Sequence, residues 1–123
     1  MENFKLVLPE HLNHYQYLFG GYLLKFVDES AWIAATLDYP GFKFMTIGMD
    51  RVEFLKTVRE GTILRIRCEQ AKIGNTSVQY QVDVFKANSI KADSTDAETE
   101  SVFSTNVTLV RVDDDGRKKS IAG

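Results

Sequence analysis

The sequence is poor in the residues that build special chemistry: among 123 residues it holds one cysteine, two histidines, two prolines and one tryptophan. A single cysteine, Cys68, excludes an internal disulfide and any cysteine-rich metal site. Two histidines, His11 and His14, are too few for most zinc constellations, so no structural metal is expected. Neither sign of charge dominates, with fifteen Lys and Arg against seventeen Asp and Glu and a net charge of −2. Without a cationic field to meet phosphate backbones, a nucleic-acid partner is not expected. No uninterrupted apolar run reaches the roughly 18 residues of a membrane span, and no basic-then-apolar leader opens the sequence. The expectation is one soluble cytoplasmic domain over residues 1–123, able to bury roughly two-thirds of its unfolded surface. Two matches to the glycosylation pattern, at Asn75 and Asn106, mean nothing without a secretory signal.

What is present is a change of period. Residues 4–8 read as a short strand, followed by a loop after Pro9 and a helix from about Gly20 to Tyr39, stopped by Pro40-Gly41. Beyond that stop the period falls to two: Val78, Tyr80, Val82 and Val84 alternate with Gln79, Gln81 and Asp83, as in a half-buried strand. In residues 42–56 the apolar positions Met45, Ile47 and Met49 fall out of phase with Val52 and Phe54, which predicts a bulge near Asp50-Arg51. Turns at Arg59-Glu60-Gly61 and Ile73-Gly74-Asn75-Thr76 predict an antiparallel meander over 42–86, and a last strand spans about 102–112. The polar stretch 88–101 reads as a mobile hairpin loop and 113–123 as a frayed tail. The fold class is α+β: one helix with about five antiparallel strands that must curl around it, since a helix apolar on most faces has to be wrapped.

Chemistry is sought on that helix. Lys25 and Glu29 are four residues apart, so Glu29 has a local partner; Asp28, beside Leu24, Ala31 and Ala35, has none assigned to it. Small alanines leave room for a ligand to approach a general base at Asp28. The alternative is a structural acid paired elsewhere in the fold. Gly20 and Gly21 serve a tight turn or, functionally, bare amides at the positive end of the helix that would hold a thioester or ester oxygen.

The segment FGGYLLKFVDESAWIAA, preceded by HLNHYQYL and followed by DRVEFLKTVREG and KIGNTSVQYQVDVF, resembles the hotdog-fold acyl-CoA thioesterases over roughly residues 6–112. The resemblance implies a hotdog fold, in which a curved sheet wraps the helix and two subunits pair edge to edge with active sites at their interface. It implies hydrolysis of an acyl-CoA thioester to a carboxylic acid and free CoA, with Asp28 as base or nucleophile. Gly20 and Gly21 then match the oxyanion turn and Asn13 a polar position of the loop before it. Lys72 and the segment Gly74, Asn75, Thr76 and Ser77 match the turn near the pantetheine and phosphates of CoA. No metal or redox cofactor is implied, since CoA is part of the substrate. The partners implied are a second copy of the chain, in a homodimer built into a dimer or trimer of dimers. Gln16 stands where the family usually has glycine and Thr57 where it commonly has proline, which bears on the mouth of the site. Tyr15, Tyr17 and Tyr22 crowd the same entrance. The alternatives are a hotdog dehydratase using His11 or His14, and an acyl-CoA sensor or idle scaffold. His11 and His14 read as loop residues, and Cys68 as a small core residue.

Overall fold

A computed structural model describes residues 1–88 and 101–122. In chain order it has β1 (Glu2–Leu6), a 3-10 turn (Pro9–His11), α1 (Gly20–Asp38), β2 (Lys43–Phe54), β3 (Ile63–Ile73), β4 (Ser77–Lys86) and β5 (Ser101–Val112). The hairpin loop expected over 88–101 lies, but for its two end residues, outside the described residues.

The helix forms where the sequence places it. Phe19 precedes it in extended conformation, and Gly20 and Gly21 are its first two residues rather than a turn before it. At the other end Tyr39 leaves helical geometry while its N–H donates to Ala35 O, and Gly41 takes φ +86° after Pro40. That left-handed geometry suits glycine, which has no Cβ to clash. Leu23, Phe26, Val27, Ser30, Ala31, Ala34 and Ala35 are buried, a repeat of three and four residues that marks one face. The sheet packs on that face, as a helix wrapped by a curved sheet requires, and Lys25, Glu29, Trp32 and Leu37 are exposed on the rest. Glu29 departs from its expected partner. It accepts from Lys5 Nζ of β1 at 2.7 Å, and Asn3 Nδ2 of the same strand donates to the adjacent Ser30 Oγ at 3.1 Å.

Five antiparallel strands stand in the order β1-β3-β4-β5-β2. Of the meander expected over 42–86 the β3–β4 pair holds, and β4 pairs on with β5, but β2 pairs with β5 at the far edge and does not pair with β3. Period two reports which face of a strand is buried and says nothing about its neighbour. The chain from β2 to β3 therefore crosses past the start of the helix, where Leu18 N–H donates to Val58 O at 2.7 Å and Val58 is buried. In β2 the register slips between Asp50 and Glu53, with Arg51 at φ +51°, where the change of phase places a bulge. A second slip, between Thr46 and Gly48, was not foreseen.

The tail is not frayed as its composition suggests. Asp113 Oδ1 accepts from the N–H groups of Asp115 and Arg117, Lys119 N–H donates to Arg111 O, and Ile121 N–H donates to Asn75 O. An aspartate that caps its own turn, followed by Gly116 at φ +80°, turns the chain back so that Ile121 packs against the core.

Two titratable groups sit deep in that core. Burial, the largest cause, pushes the Cys68 thiol up to about 11, with the N-terminal ammonium opposing and Asp83 adding to the shift. Burial, then the 2.6 Å hydrogen bond to Asp38, likewise pushes the Tyr80 hydroxyl up. Both values lie above those of the unfolded chain, near 8.5 for Cys and 10 for Tyr, so their contribution is complete below those values and lost as pH rises. Urea denaturation is expected to give an unfolding free energy that falls from about pH 8 toward pH 11, with Cys68→Ala flattening the first part of the fall. A level profile through pH 11 would contradict this.

Candidate active site

Asp28 is half-buried on the border between the covered and open faces of α1. Its carboxylate is held from the neighbouring strand: Thr46 Oγ1 donates to Asp28 Oδ1 at 2.6 Å, a distance typical of a hydroxyl on a charged acceptor. Thr46 and Phe44 share the inward parity of β2, and the slip just after Thr46 ends that parity. The sequence reading missed Thr46. The available signal was a lone hydroxyl on the inward side of the apolar run FMTIGM, opposite a helix acid with no assigned partner.

The helix N-terminus lies over a cleft of about 300 Å³ lined by Asn13, Tyr17, Leu18, Gly20, Leu23, Phe54, Leu55, Lys56, Thr57 and Val58. Among the described residues the N–H groups of Gly20 and Gly21 make no hydrogen bond, while Tyr22 and Leu23 N–H both donate to Phe19 O. They are the free donors that the start of a helix always leaves. A Cβ at Gly20 would stand 3.4 Å from the Phe54 ring and narrow the cleft.

Asn13 is tied into its own loop. Its Oδ1 accepts from Tyr15 N–H at 2.9 Å and Tyr17 N–H at 3.2 Å, and its backbone N–H donates to Tyr17 O at 2.7 Å. Two N–H donors require the oxygen on that side of the carboxamide, which leaves Nδ2 as the group Asn13 presents elsewhere. Gln16, inside the same turn, has φ +69°. This is the geometry glycine adopts without strain, and it accounts physically for glycine at this place in the resembled family. Gln16 is exposed and does not line the cleft, whereas Thr57 does.

Of the three tyrosines at the entrance, only Tyr17 lines the cleft, with the Arg59 guanidinium 5.4 Å from its ring. Tyr22 packs against His11 and Phe26, and Tyr15 lies against His14 at the surface. His11 is tied into its loop: its Nδ1 accepts from Leu8 N–H at 3.0 Å and its ring lies against Phe26.

The candidate residues thus fall in three places. Asn13 and Gly20 share the cleft. Asp28 follows Gly20 by eight residues, roughly 12 Å along the helix axis, too far for both to act on one carbonyl through a single water. The turn Gly74–Ser77 lies toward the opposite end of the molecule, where the tail joins it. There Gly74 N–H donates to Ser77 O, Thr76 O accepts from Arg111 N–H, and Ser120 Oγ donates to Asn75 Oδ1. Lys72 is exposed beside that turn. Among the described residues no group of three or more His, Cys, Asp or Glu side chains is arranged to hold a metal ion, and no helix is long and apolar enough to cross a membrane.

Comparison with known proteins gives the family of the chain. Residues 15–92 match the family model of the thioesterase superfamily. An uncharacterized acyl-CoA thioester hydrolase of Buchnera aphidicola is 31% identical over 80 residues, which cover 65% of this chain and 58% of that protein. The match therefore spans less than two-thirds of that relative. A hexameric hotdog fold thioesterase of Campylobacter jejuni superposes with a TM-score of 0.84 at 30% identity, covering 97% of this chain and 87% of the other. An acyl-CoA hydrolase of Staphylococcus aureus, solved with butyryl-CoA and CoA, gives a TM-score of 0.81 at 27% identity, covering 98% and 70%. Single Asn→Ala, Asp→Ala and Thr→Ala variants of that enzyme have also been solved.

Proposed function

Because the chain belongs to the thioesterase superfamily, with the hotdog fold, we propose that it is an acyl-CoA thioester hydrolase releasing a carboxylic acid and free CoA. The observation that carries this reading is an acid on a rigid helix, clamped by Thr46 and separated by about 12 Å from the bare amides at the start of that helix. One chain has both halves of a hydrolytic site and cannot bring them together. A second copy lying along the open edge of β2, with its helix facing the first, joins Asp28 of one copy to Asn13, Gly20 and Gly21 of the other.

In this mechanism Asp28 accepts a proton from water as the water oxygen bonds to the thioester carbon. The carbonyl oxygen, now negative, is held by the amides of Gly20 and Gly21 and by Asn13 Nδ2. Asn13 acts as a donor because its oxygen is already committed to the loop. The intermediate collapses, the C–S bond breaks, and the proton passes from Asp28 to the sulfur of CoA. Base, water and donors suffice for these steps, and no metal or redox group is called on. The nucleotide end of CoA is assigned to Lys72 and the turn Gly74–Ser77, where an ammonium would meet phosphate. The replaced asparagine and aspartate of the Staphylococcus aureus hydrolase stand as far apart in its sequence as Asn13 and Asp28 do here, which supports the pairing. The hexameric state of the Campylobacter jejuni neighbour favours a trimer of dimers for this chain. A cytoplasmic location, where acyl-CoA is made and used, is part of the same proposal.

Thiol release from short, medium, long and aromatic acyl-CoA tests the reading; binding of every member with no release would overturn it in favour of a sensor. Thr46→Val keeps the shape of the side chain and removes its hydrogen bond. It is expected to lower kcat about tenfold, about 1.4 kcal/mol of activation free energy, with KM little changed. Unchanged kcat would remove Thr46 from the account.

A further inference from the structure

Trp32 is the chain's single tryptophan, and the mechanism makes no use of it. It follows Asp28 by four residues on α1, so the two side chains lie on one face a turn apart, roughly 6 Å along the axis. Both reach the same strand. Thr46 Oγ1 meets Asp28 at 2.6 Å, and Trp32 Nε1 donates to Phe44 O at 3.3 Å. From residue 46 to residue 44 the strand advances about 6.6 Å, so the helical and strand steps match and the indole is held one rung beyond the acid.

Although anchored, Trp32 is 45% exposed in the single chain. The other helix neighbours of Asp28 offer no such surface. Lys25 is charged and exposed, Ala31 is fully buried, and Leu24 packs against the core. Trp32 is thus the large apolar surface open to solvent beside the proposed base on its own helix.

We propose that Trp32 is the wall against which the substrate's acyl chain lies, and that it restricts the site to short acyl groups. A chain extending from a carbonyl at Asp28 along the helix meets the indole within about one turn, and the hydrogen bond to Phe44 O keeps the ring from swinging aside. This inference rests on the hydrolase reading and specifies its substrate class.

A single tryptophan makes the test direct. CoA alone is expected to leave the emission of the wild-type protein unchanged, while a butyryl thioether analogue of CoA, which cannot be hydrolysed, shifts or quenches it. In parallel, the ratio of kcat/KM for octanoyl-CoA to that for butyryl-CoA is measured in the wild type, Trp32→Ala and Trp32→Phe. The ratio is expected to rise at least about tenfold in Trp32→Ala, chiefly through a lower KM for the longer substrate, and to rise less in Trp32→Phe, which keeps an aromatic wall but loses the hydrogen bond to Phe44 O. An emission that ignores the acyl group, or a Trp32→Ala enzyme that turns over with the wild-type ratio, overturns the proposal. Absence of thiol release by the wild type, with the emission response intact, overturns the hydrolase reading and leaves Trp32 as a contact of the acyl group.

Discussion

Asp28→Asn is expected to lower turnover about a thousandfold while the protein stays folded, within the range of 10²–10⁴ that a positioned base contributes. The substitution is nearly isosteric, and the new carboxamide oxygen still accepts the Thr46 hydroxyl, so the link between α1 and β2 persists. What is lost is the ability to take a proton from water. Substrate binding depends on other groups, so the effect falls on kcat with KM little changed. Free-thiol release together with a thermal unfolding curve checks both parts. Full turnover in a folded Asp28→Asn protein would remove this residue from the chemistry.

Asn13→Asp is expected to lower kcat by about 10²–10³, the loss seen when an oxyanion donor is removed from a known enzyme. The choice of variant follows from the loop. An aspartate keeps the two acceptor bonds to Tyr15 and Tyr17 N–H, so the turn is retained. It has no N–H to offer, and it places a negative charge where the negative charge of the intermediate develops. Asn13→Ala would confuse the two roles, since it loses the turn as well. A variant that unfolds at the wild-type temperature and turns over at the wild-type rate would show that the Asn13 donor does no chemistry.

Much of this architecture was legible before any coordinates. Pro40-Gly41 stops the helix because one residue cannot continue its hydrogen bonding and the other takes a left-handed φ. The loss of phase around Asp50 marks a bulge because an extra residue in a strand turns every later side chain to the other face. The place of β2 beside β5 was not legible, since alternation of apolar residues is the same whichever strand lies alongside. The partners of Asp28 and Glu29 were hidden for a related reason. Thr46 and Lys5 are remote in sequence and become neighbours only when the sheet folds over the helix. The tail was misjudged because its composition is that of a solvated segment, while its order comes from one residue, Asp113, closing a turn on itself.

In the candidate site, Gly20 was readable from the residues and Asn13 through the family resemblance alone, and the two line one cleft. The distance that separates them from Asp28 was also available, because helical rise alone sets it. The remaining step, from two half-sites to one reaction, rests on the source of the oxygen in the product. A single turnover of butyryl-CoA with excess protein in water enriched in oxygen-18 measures it directly. The account expects free CoA and a butyrate carrying solvent label in that first turnover, with no label in Asp28. Unlabelled butyrate with label in the Asp28 carboxylate would make Asp28 a nucleophile and contradict the account, as would the absence of butyrate altogether.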